Sequence, residues 1–366
     1  MIEIIEVNTK KQQKLFVDFP IKLYRDCNYF VPTLKIAEYN IFKESKQNTD
    51  VASVFYLAKL NGQIVGRIGG IIHSIYNEKT DQKRVRFTRF DCINNFQVAN
   101  ALISAVENWA IRRGMQCSHG PMGFNDLEKV GVQSNNFEQM GNLVALYNFP
   151  YYKKLLEKCG YLVETKFTEY RIATPKNFKY VFELDNYKVV KTKNVYKLLN
   201  KYKTKVFDLI NECYAPLYGA IPITPKLKEV LVEQYSFLIN HNFIALIVDE
   251  NNSVVGFGLA IPGLAFEMNL NKGKLINFDS FKLLKAFRKP NYAELMFLCV
   301  SPSCDKPKVA QLIKSKLIYG MNKCNIPFVE SNPILDDGIL KTKYMQDLNT
   351  VKRKEREVYY KIFKNN

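Results

Sequence analysis

Histidine is nearly missing from this chain. There are three in 366 residues, beside a single tryptophan. The eight cysteines, at 27, 92, 117, 159, 213, 299, 304 and 324, form no C-x-x-C pair. With so few nitrogen ligands and no paired thiols, the sequence argues against a zinc site, and no metal is expected. Scattered cysteines fit a reducing compartment, so a cytoplasmic protein is expected. No apolar run approaches the ~18–20 residues needed to cross a bilayer. The opening M-I-E-I-I-E-V-N has acidic residues among its first apolar ones, and reads as a strand rather than a signal peptide. A helix-turn-helix, a zinc finger and an aromatic RNA-binding strand are also lacking, which argues against nucleic acid as a partner.

One sign of charge is in excess. Lys and Arg number 53 against 35 Asp and Glu, a formal charge of +18. The excess is spread along the chain: 25 basic against 17 acidic residues up to position 180, and 28 against 18 beyond it. Such a field favours an acidic partner. A chain rich in Lys, Asn, Ile and Tyr is also what an AT-rich genome produces, and that explanation needs no partner.

The sequence makes one statement twice. Residues 64–71 read I-V-G-R-I-G-G-I and residues 254–261 read V-V-G-F-G-L-A-I. Each run follows a short apolar strand and a polar turn, the pattern of a β-hairpin. Gly66 and Gly256 hold the same place in each. A repeat that long means two copies of a domain. Similar elements surround both hairpins. In the first half these are an amphipathic helix from Lys11 to about Tyr24, a strand from Arg84 to Ile93, a helix from Phe96 to Arg113, a short strand at Cys117 to His119, a helix near 150–159 and a last strand near 161–172. In the second they are helices near 195–214 and 225–240, a strand from Glu294 to Val300, a helix near 307–323, a strand at Phe328 to Ser331, a helix near 337–347 and a closing strand from Glu357 to Phe363. The expected domains are 1–175 and 187–366.

The stretch N-F-P-Y-Y-K-K-L-L-E-K-C-G-Y at 148–161 resembles the late helix of the GCN5-related N-acetyltransferases (GNATs). G-P-M-G-F-N-D-L-E-K-V-G followed by Y-N-F-P-Y-Y is similar to a poorly characterised bacterial group of tandem GNAT-like proteins. The resemblance implies a mixed α+β fold: two tandem GNAT-like folds, each a mostly antiparallel sheet flanked by helices. It further implies acyl transfer from acyl-CoA, or from an acyl carrier protein, to an amine, with no tightly bound cofactor. The family seats the coenzyme A pyrophosphate on (Q/R)-x-x-G-x-(G/A), where a strand passes into a helix. There backbone N–H groups and the helix dipole favour an anion. The matching stretches hold Asn95, Phe96, Gln97, Val98 and Ala99 in one copy, and Lys306, Lys308, Val309 and Ala310 in the other. Gln97 and Lys308 replace the inner glycine, and Asp305 replaces the usual basic or amide residue. The family's leaving-group tyrosine is replaced by Leu156; in the second copy Tyr344 lies nearby, with Met345 in the best register.

Candidate bases are Glu294 and Asp91, on the strands before the pyrophosphate helices, and His119 at the end of the short strand. Residues 120–152 form a long segment with glycines, aromatics and carboxylates, a mixture that suits a substrate lid. Its candidates for substrate contact are Asn125, Asp126, Glu128, Tyr147, Asn148 and Tyr152. A packing arm is the competing role. Three functions remain open on the sequence. One is an acyltransferase, whose basic surface would dock an acidic acyl carrier protein. The others are a non-catalytic ligand-binding or scaffold protein of the same fold, and a tRNA-dependent aminoacyl transferase.

Overall fold

The computed structural model describes all residues except 48, 126–127, 144, 273–284, 337–347 and 365–366. The helix expected near 337–347, with Tyr344 and Met345, lies outside the described residues, as does Asp126. No helix among the described residues is long and apolar enough to cross a membrane.

The chain forms two compact units, and neither is a contiguous stretch. Unit 1 comprises residues 1–168, 265–280 and 354–366; unit 2 comprises 169–264 and 281–353. These limits differ from the expected 1–175 and 187–366.

Unit 1 contains β1 (Ile2–Glu6), α1 (Lys10–Leu23), α2 (Lys35–Gln47), β2 (Val51–Leu60), β3 (Gln63–His73), α3 (Ser74–Thr80), β4 (Arg84–Cys92) and α4 (Phe96–Ile111). Then come β5 (Cys117–Gly120), β6 (Val132–Gln133), α5 (Tyr151–Lys158) and most of β7 (Leu162–Ala173). Unit 2 contains β8 (Glu183–Leu184), β9 (Tyr187–Val189), α6 (Val195–Tyr214), α7 (Pro225–Tyr235), β10 (Ile244–Val248) and β11 (Val254–Pro262). The short α8 (Ala265–Leu270) belongs to unit 1, where Asn269 Nδ2 donates to the Phe30 carbonyl at 2.6 Å. Unit 2 continues with β12 (Ala293–Val300), α9 (Lys306–Lys323), β13 (Phe328–Glu330) and β14 (Ile334–Leu335), and β15 (Thr350–Ile362) closes the chain. The sequence reading missed α2 and α3, which are short and weakly periodic.

Both sheets follow one plan. In unit 1 the strand order is β1-β2-β3-β4-β5-β15-β7, with β4/β5 as the parallel pair. In unit 2 it is β8-β9-β10-β11-β12-β13-β7, with β12/β13 as the parallel pair. The slot beside the short parallel strand is the point of departure from expectation. In unit 1 it is filled by the C-terminal strand, with Tyr359 opposite Gly120 and Ile362 opposite Cys117. In unit 2 it is filled by the end of β7, with Ala173 opposite Phe328. The closing strand expected in the second domain therefore completes the first. An interior strand edge carries backbone groups that must be paired, and whichever segment supplies partners completes the sheet.

The repeated glycines have a packing cause. A Cβ on Gly66 would lie 2.6 Å from Leu102 of α4, and one on Gly256 would lie 2.5 Å from Val309 of α9. In each unit the helix after the central strand lies directly on the hairpin. Around this contact the core of unit 1 gathers Ile68, Phe87, Leu102, Val106 and Trp109, and that of unit 2 gathers Ala245, Ile247, Val309, Leu312 and Ile313.

The exchanged strand gives a test. Ending the chain at Arg353 removes Val358 and Tyr359, both fully buried. Hydrogen exchange on the truncated protein is expected to show β4 and β5 unprotected while β10, β11 and β12 keep their protection.

Candidate active site

The parallel pairs are short, and the chemistry gathers where they end. β4 pairs with β5 only over Arg84 to Arg86. A bulge opposite Arg67–Gly69 then puts Arg89 at φ 50°, a left-handed backbone that a non-glycine residue seldom adopts. Beyond it the backbone of Cys92 is met by side chains. Tyr152 Oη accepts from the Cys92 N–H at 2.9 Å, and Tyr151 Oη donates to the Cys92 carbonyl at 2.7 Å. Both tyrosines come from α5, whose Leu155 and Leu156 are buried in the same core.

A buried polar chain runs from this point. Tyr24, the C-cap of α1, places its hydroxyl 3.3 Å from Tyr152 Oη and 3.2 Å from Asp91 Oδ1. Arg67 Nε donates to Asp91 Oδ2 at 2.8 Å, and its Nη1 reaches the Phe16 carbonyl at 3.0 Å and Glu38 Oε2 at 3.1 Å. Arg89 bonds Glu38 Oε1 at 3.2 Å and Glu128 Oε2 at 2.9 Å. Burial pushes the Asp91 carboxyl above its ordinary range, and the Arg67 guanidinium only partly offsets this. Glu38 is also buried, but Arg89 and Arg67 together outweigh that burial and hold it below the usual range. Burial and the neighbouring Asp91 push the Tyr24 hydroxyl well up, so it remains a proton donor. Asp91 thus stands in a built site. Tyr24 and Glu38 escaped the sequence reading because the groups they bond lie 67 and 29 residues away, beyond any local pattern.

The other candidates fall in different places. His119 is fully buried, stacked on Tyr76 with ring centroids 5.7 Å apart, and its Nδ1 lies 3.8 Å from Glu164. Burial, with Arg86 and Arg84 close by, pushes its pKa well below the ordinary value, so the ring is neutral. Asn148 brackets β6, accepting from Gln133 N–H at 2.7 Å and donating to the Gln133 carbonyl at 3.2 Å. Tyr147 is buried with Tyr24 and Phe30, and Asn125 is also buried. Of the segment 120–152, Glu128 and Tyr152 reach the polar chain, while Tyr147 and Asn148 hold the segment together.

Unit 2 carries different chemistry at the matching positions. Gly66 pairs with Cys92 and Gly256 pairs with Val300, so Cys299 stands where Asp91 stands in unit 1. Phe257 replaces Arg67. Tyr214 and Cys213, at the end of α6, both reach Cys299, and the Cys213 thiol donates to the Val300 carbonyl at 3.3 Å. β12 pairs with β13 only at Ala293 and Glu294. Glu294 is fully buried at this junction, accepting from Tyr292 Oη at 3.2 Å. Past it a cavity of about 80 Å³ opens, lined by Leu298 and Val300 of β12, by Ala310, Ile313 and Leu317 of α9, and by Ile172.

The helix N-termini are capped from within. Asn95 Oδ1 accepts from the Val98 N–H at 3.1 Å, and Asp305 Oδ1 accepts from the Lys308 N–H at 3.3 Å. Phe96, Gln97 and Lys306 are exposed, whereas Val98, Ala99, Val309 and Ala310 are buried. The Lys308 ammonium lies 2.7 Å from Asp185 and 3.0 Å from Asp305, and these carboxylates raise its pKa.

A strand order repeated in two units, with a helix at the mouth of each short parallel pair, is the tandem GNAT fold, and solved structures agree. The chain is similar over its whole length to all of a tandem GNAT protein from the clavulanic acid biosynthesis pathway, with a TM-score of 0.61 and 10% identity. It is similar over 98% of its length to 95% of a GCN5-related N-acetyltransferase from Sphaerobacter thermophilus, with a TM-score of 0.52 and 9% identity. It is also 23% identical over 286 residues to Protein YghO from Escherichia coli (strain K12), covering 75% of this chain and 72% of that protein. No protein-family model matches the chain.

Two measurements test the electrostatics. Arg67→Ala leaves Asp91 and Glu38 buried without their shared cation, so it is expected to cost about 3–5 kcal/mol in chemical denaturation. His119 is neutral when folded and has an ordinary pKa of about 6.5 when unfolded. Its stabilising share is complete above that pH and falls as the pH drops, because only the unfolded chain takes up the proton. His73, with its pKa pushed down to about 4 by burial and Arg86, has the same sign. The melting temperature should therefore fall as the pH is lowered from 6.5, and less steeply in His119→Gln.

Proposed function

We propose that the protein transfers an acyl group from a thioester donor to an amine, and that unit 2 holds the donor. The observation that carries this reading is the asymmetry at the ends of the parallel pairs. In unit 1 the Cys92 backbone is occupied by Tyr151 and Tyr152. In unit 2 the same region is an apolar cavity against α9. One water needs roughly 10–15 Å³ on this scale, so the cavity has room for a chain of about five to eight heavy atoms. An apolar wall with no charged carboxylate suits an aliphatic acyl or pantetheine arm.

The capped helix supports a carrier-bound donor over free coenzyme A. The Asp305 carboxylate takes the Lys308 N–H at the start of α9 that would otherwise face a pyrophosphate, and its charge repels one. A phosphopantetheine arm on an acidic carrier protein has no pyrophosphate to seat, and the +18 charge favours its approach. On this reading acetyl-CoA alone binds weakly, at about tens of micromolar, on the order of −6 kcal/mol. On this reading Glu294, buried on β12, takes the proton from the amine in unit 2, and Asp91 is the corresponding candidate base of unit 1. The reaction would take place in the cytoplasm.

Thermal shift with octanoyl-CoA and with octanoyl-pantetheine tests this. Both are expected to raise the melting temperature. Ala310→Phe fills the cavity and should abolish the rise, while itself costing about 1–3 kcal/mol of stability. A rise that survives Ala310→Phe would place the donor elsewhere.

A further inference from the structure

The cavity of unit 2 is not wholly apolar. Its floor is one face of the sheet, where Val329 of β13 stands opposite Ile172 of β7 and both line the space. Its roof is the stripe Ala310, Ile313 and Leu317 of α9. Lys314, half-buried, lies one turn after Ala310 on that stripe and lines the cavity too. A lysine so placed lays its methylene stem along an apolar wall and keeps its ammonium at the rim. Thr174, just past the end of β7, is a further lining residue, its N–H fixed on the Pro327 carbonyl at 2.9 Å. The Thr174 hydroxyl oxygen is buried and has no hydrogen-bond partner among the described residues. An orphaned buried hydroxyl calls for a partner from outside the chain, whether water or a ligand. No acidic side chain lines the cavity among the described residues. The wall thus offers an apolar length, one hydroxyl and one cation, which suits an apolar chain that ends in an anion.

We propose that the cavity selects an acyl chain ending in a carboxylate, so that the donor is the thioester of a dicarboxylic acid. This deepens the acyl-transfer reading and rests on it. The methylenes of the chain lie between the sheet and α9. The terminal carboxylate takes the Lys314 ammonium as its counter-ion and accepts from the Thr174 hydroxyl. A carboxylate enters an apolar space only where a cation and hydrogen-bond donors meet it, and here lining residues supply both. An adipyl chain, with four methylenes and a carboxylate beyond its thioester, falls within the ~5–8 heavy atoms that the cavity admits. A plain fatty acyl chain of the same length fills the same space but makes neither polar contact. A site built to pair a polar group discriminates against the analogue that lacks it, because its own buried group is then left unpaired.

The test is titration calorimetry of the full chain with adipyl-pantetheine and hexanoyl-pantetheine. The two thioesters match in chain length and carry no phosphate, so they differ only in the terminal carboxylate. Adipyl-pantetheine is expected to bind about tenfold tighter near neutral pH. Lys314→Met keeps the stem and removes the charge. It should bring the two affinities together while hexanoyl-pantetheine binds as before, which also shows that the variant is folded. Lys314→Arg should retain the preference, and Thr174→Val should reduce it. Three results would overturn the inference: adipyl-pantetheine binding no tighter than hexanoyl-pantetheine, a preference that survives Lys314→Met and so reports only the protein's net charge, or a preference unmoved by Thr174→Val. In each case the acyl-transfer reading stands as long as hexanoyl-pantetheine binds and Ala310→Phe abolishes that binding. If neither thioester binds, both fall.

Discussion

Everything distinctive in this protein follows from two strand pairs that stop too soon. A parallel pair of two or three residues leaves the rest of the longer strand with an unpaired edge inside the sheet. Buried N–H and C=O groups cannot be left without partners, since each such group costs on the order of 1–3 kcal/mol. Something other than the neighbouring strand must meet them. In unit 1 it is the hydroxyls of Tyr151 and Tyr152 at Cys92. In unit 2 it is the Cys213 thiol at Val300 and the Asn332 amide at Met296, 2.7 Å from that carbonyl. These partners are side chains, and side chains can be displaced. On the proposed reading, a ligand that pairs with the strand edge would take their place without breaking the sheet. The gap is thus both a structural problem and a binding opportunity.

The same constraint explains why the two units diverged in chemistry but not in backbone. In unit 1 the residue before Cys92 is Asp91, and a buried carboxylate demands a cation. Arg67 supplies it across the hairpin. Arg67 has hydrogen-bonding capacity left over and binds Glu38; Arg89 then shares Glu38 and binds Glu128. Each group is satisfied only because the next is present, so the chain is rigid and cannot be altered at one point. At the matching positions unit 2 has Phe257 and Cys299, which need no counter-charge. With no such network at these positions, the cavity of unit 2 is lined mainly by apolar side chains, with Lys314 among the lining residues.

The hairpin repeat was legible because it is local. Glycine at 66 and 256 reports a helix lying on a strand, and flanking apolar runs give the periodicity. The tandem fold and the sheet-helix order followed from these patterns. Asp91 was singled out because its strand position is fixed by the same pattern. The rest was not legible for physical reasons. Arg67 bonds Glu38, 29 residues away, and Asp91 bonds Tyr24, 67 residues away, and no local period encodes such contacts. The closing strand was assigned to the nearer domain because a sequence pattern shows that a strand forms, not which edge it joins. The hydrogen bond between Cys213 and Cys299 was not legible because it appears only when α6 is laid on β12.

The exchanged strands also constrain how the protein can fold. Tyr359 pairs with Gly120 across 239 residues (359 − 120) of the 366. Closing so long a loop is entropically costly and slow, and the cost must be met before the contact contributes. The β4/β5 edge of unit 1 therefore remains open until the C-terminus arrives. Three buried cations bear on this step: Arg86 bonds the Gly123 carbonyl at 3.3 Å, Lys354 the Met140 carbonyl at 2.9 Å, and Arg356 the Leu146 carbonyl. Two of the three travel on β15 itself. The strand thus brings with it the cations that fix the segment 120–148, and with that segment fixed, Tyr151 and Tyr152 are held against Cys92. The closed site of unit 1 is in this sense a product of the last thirteen residues of the chain, which is why its geometry could not be read from the first half alone.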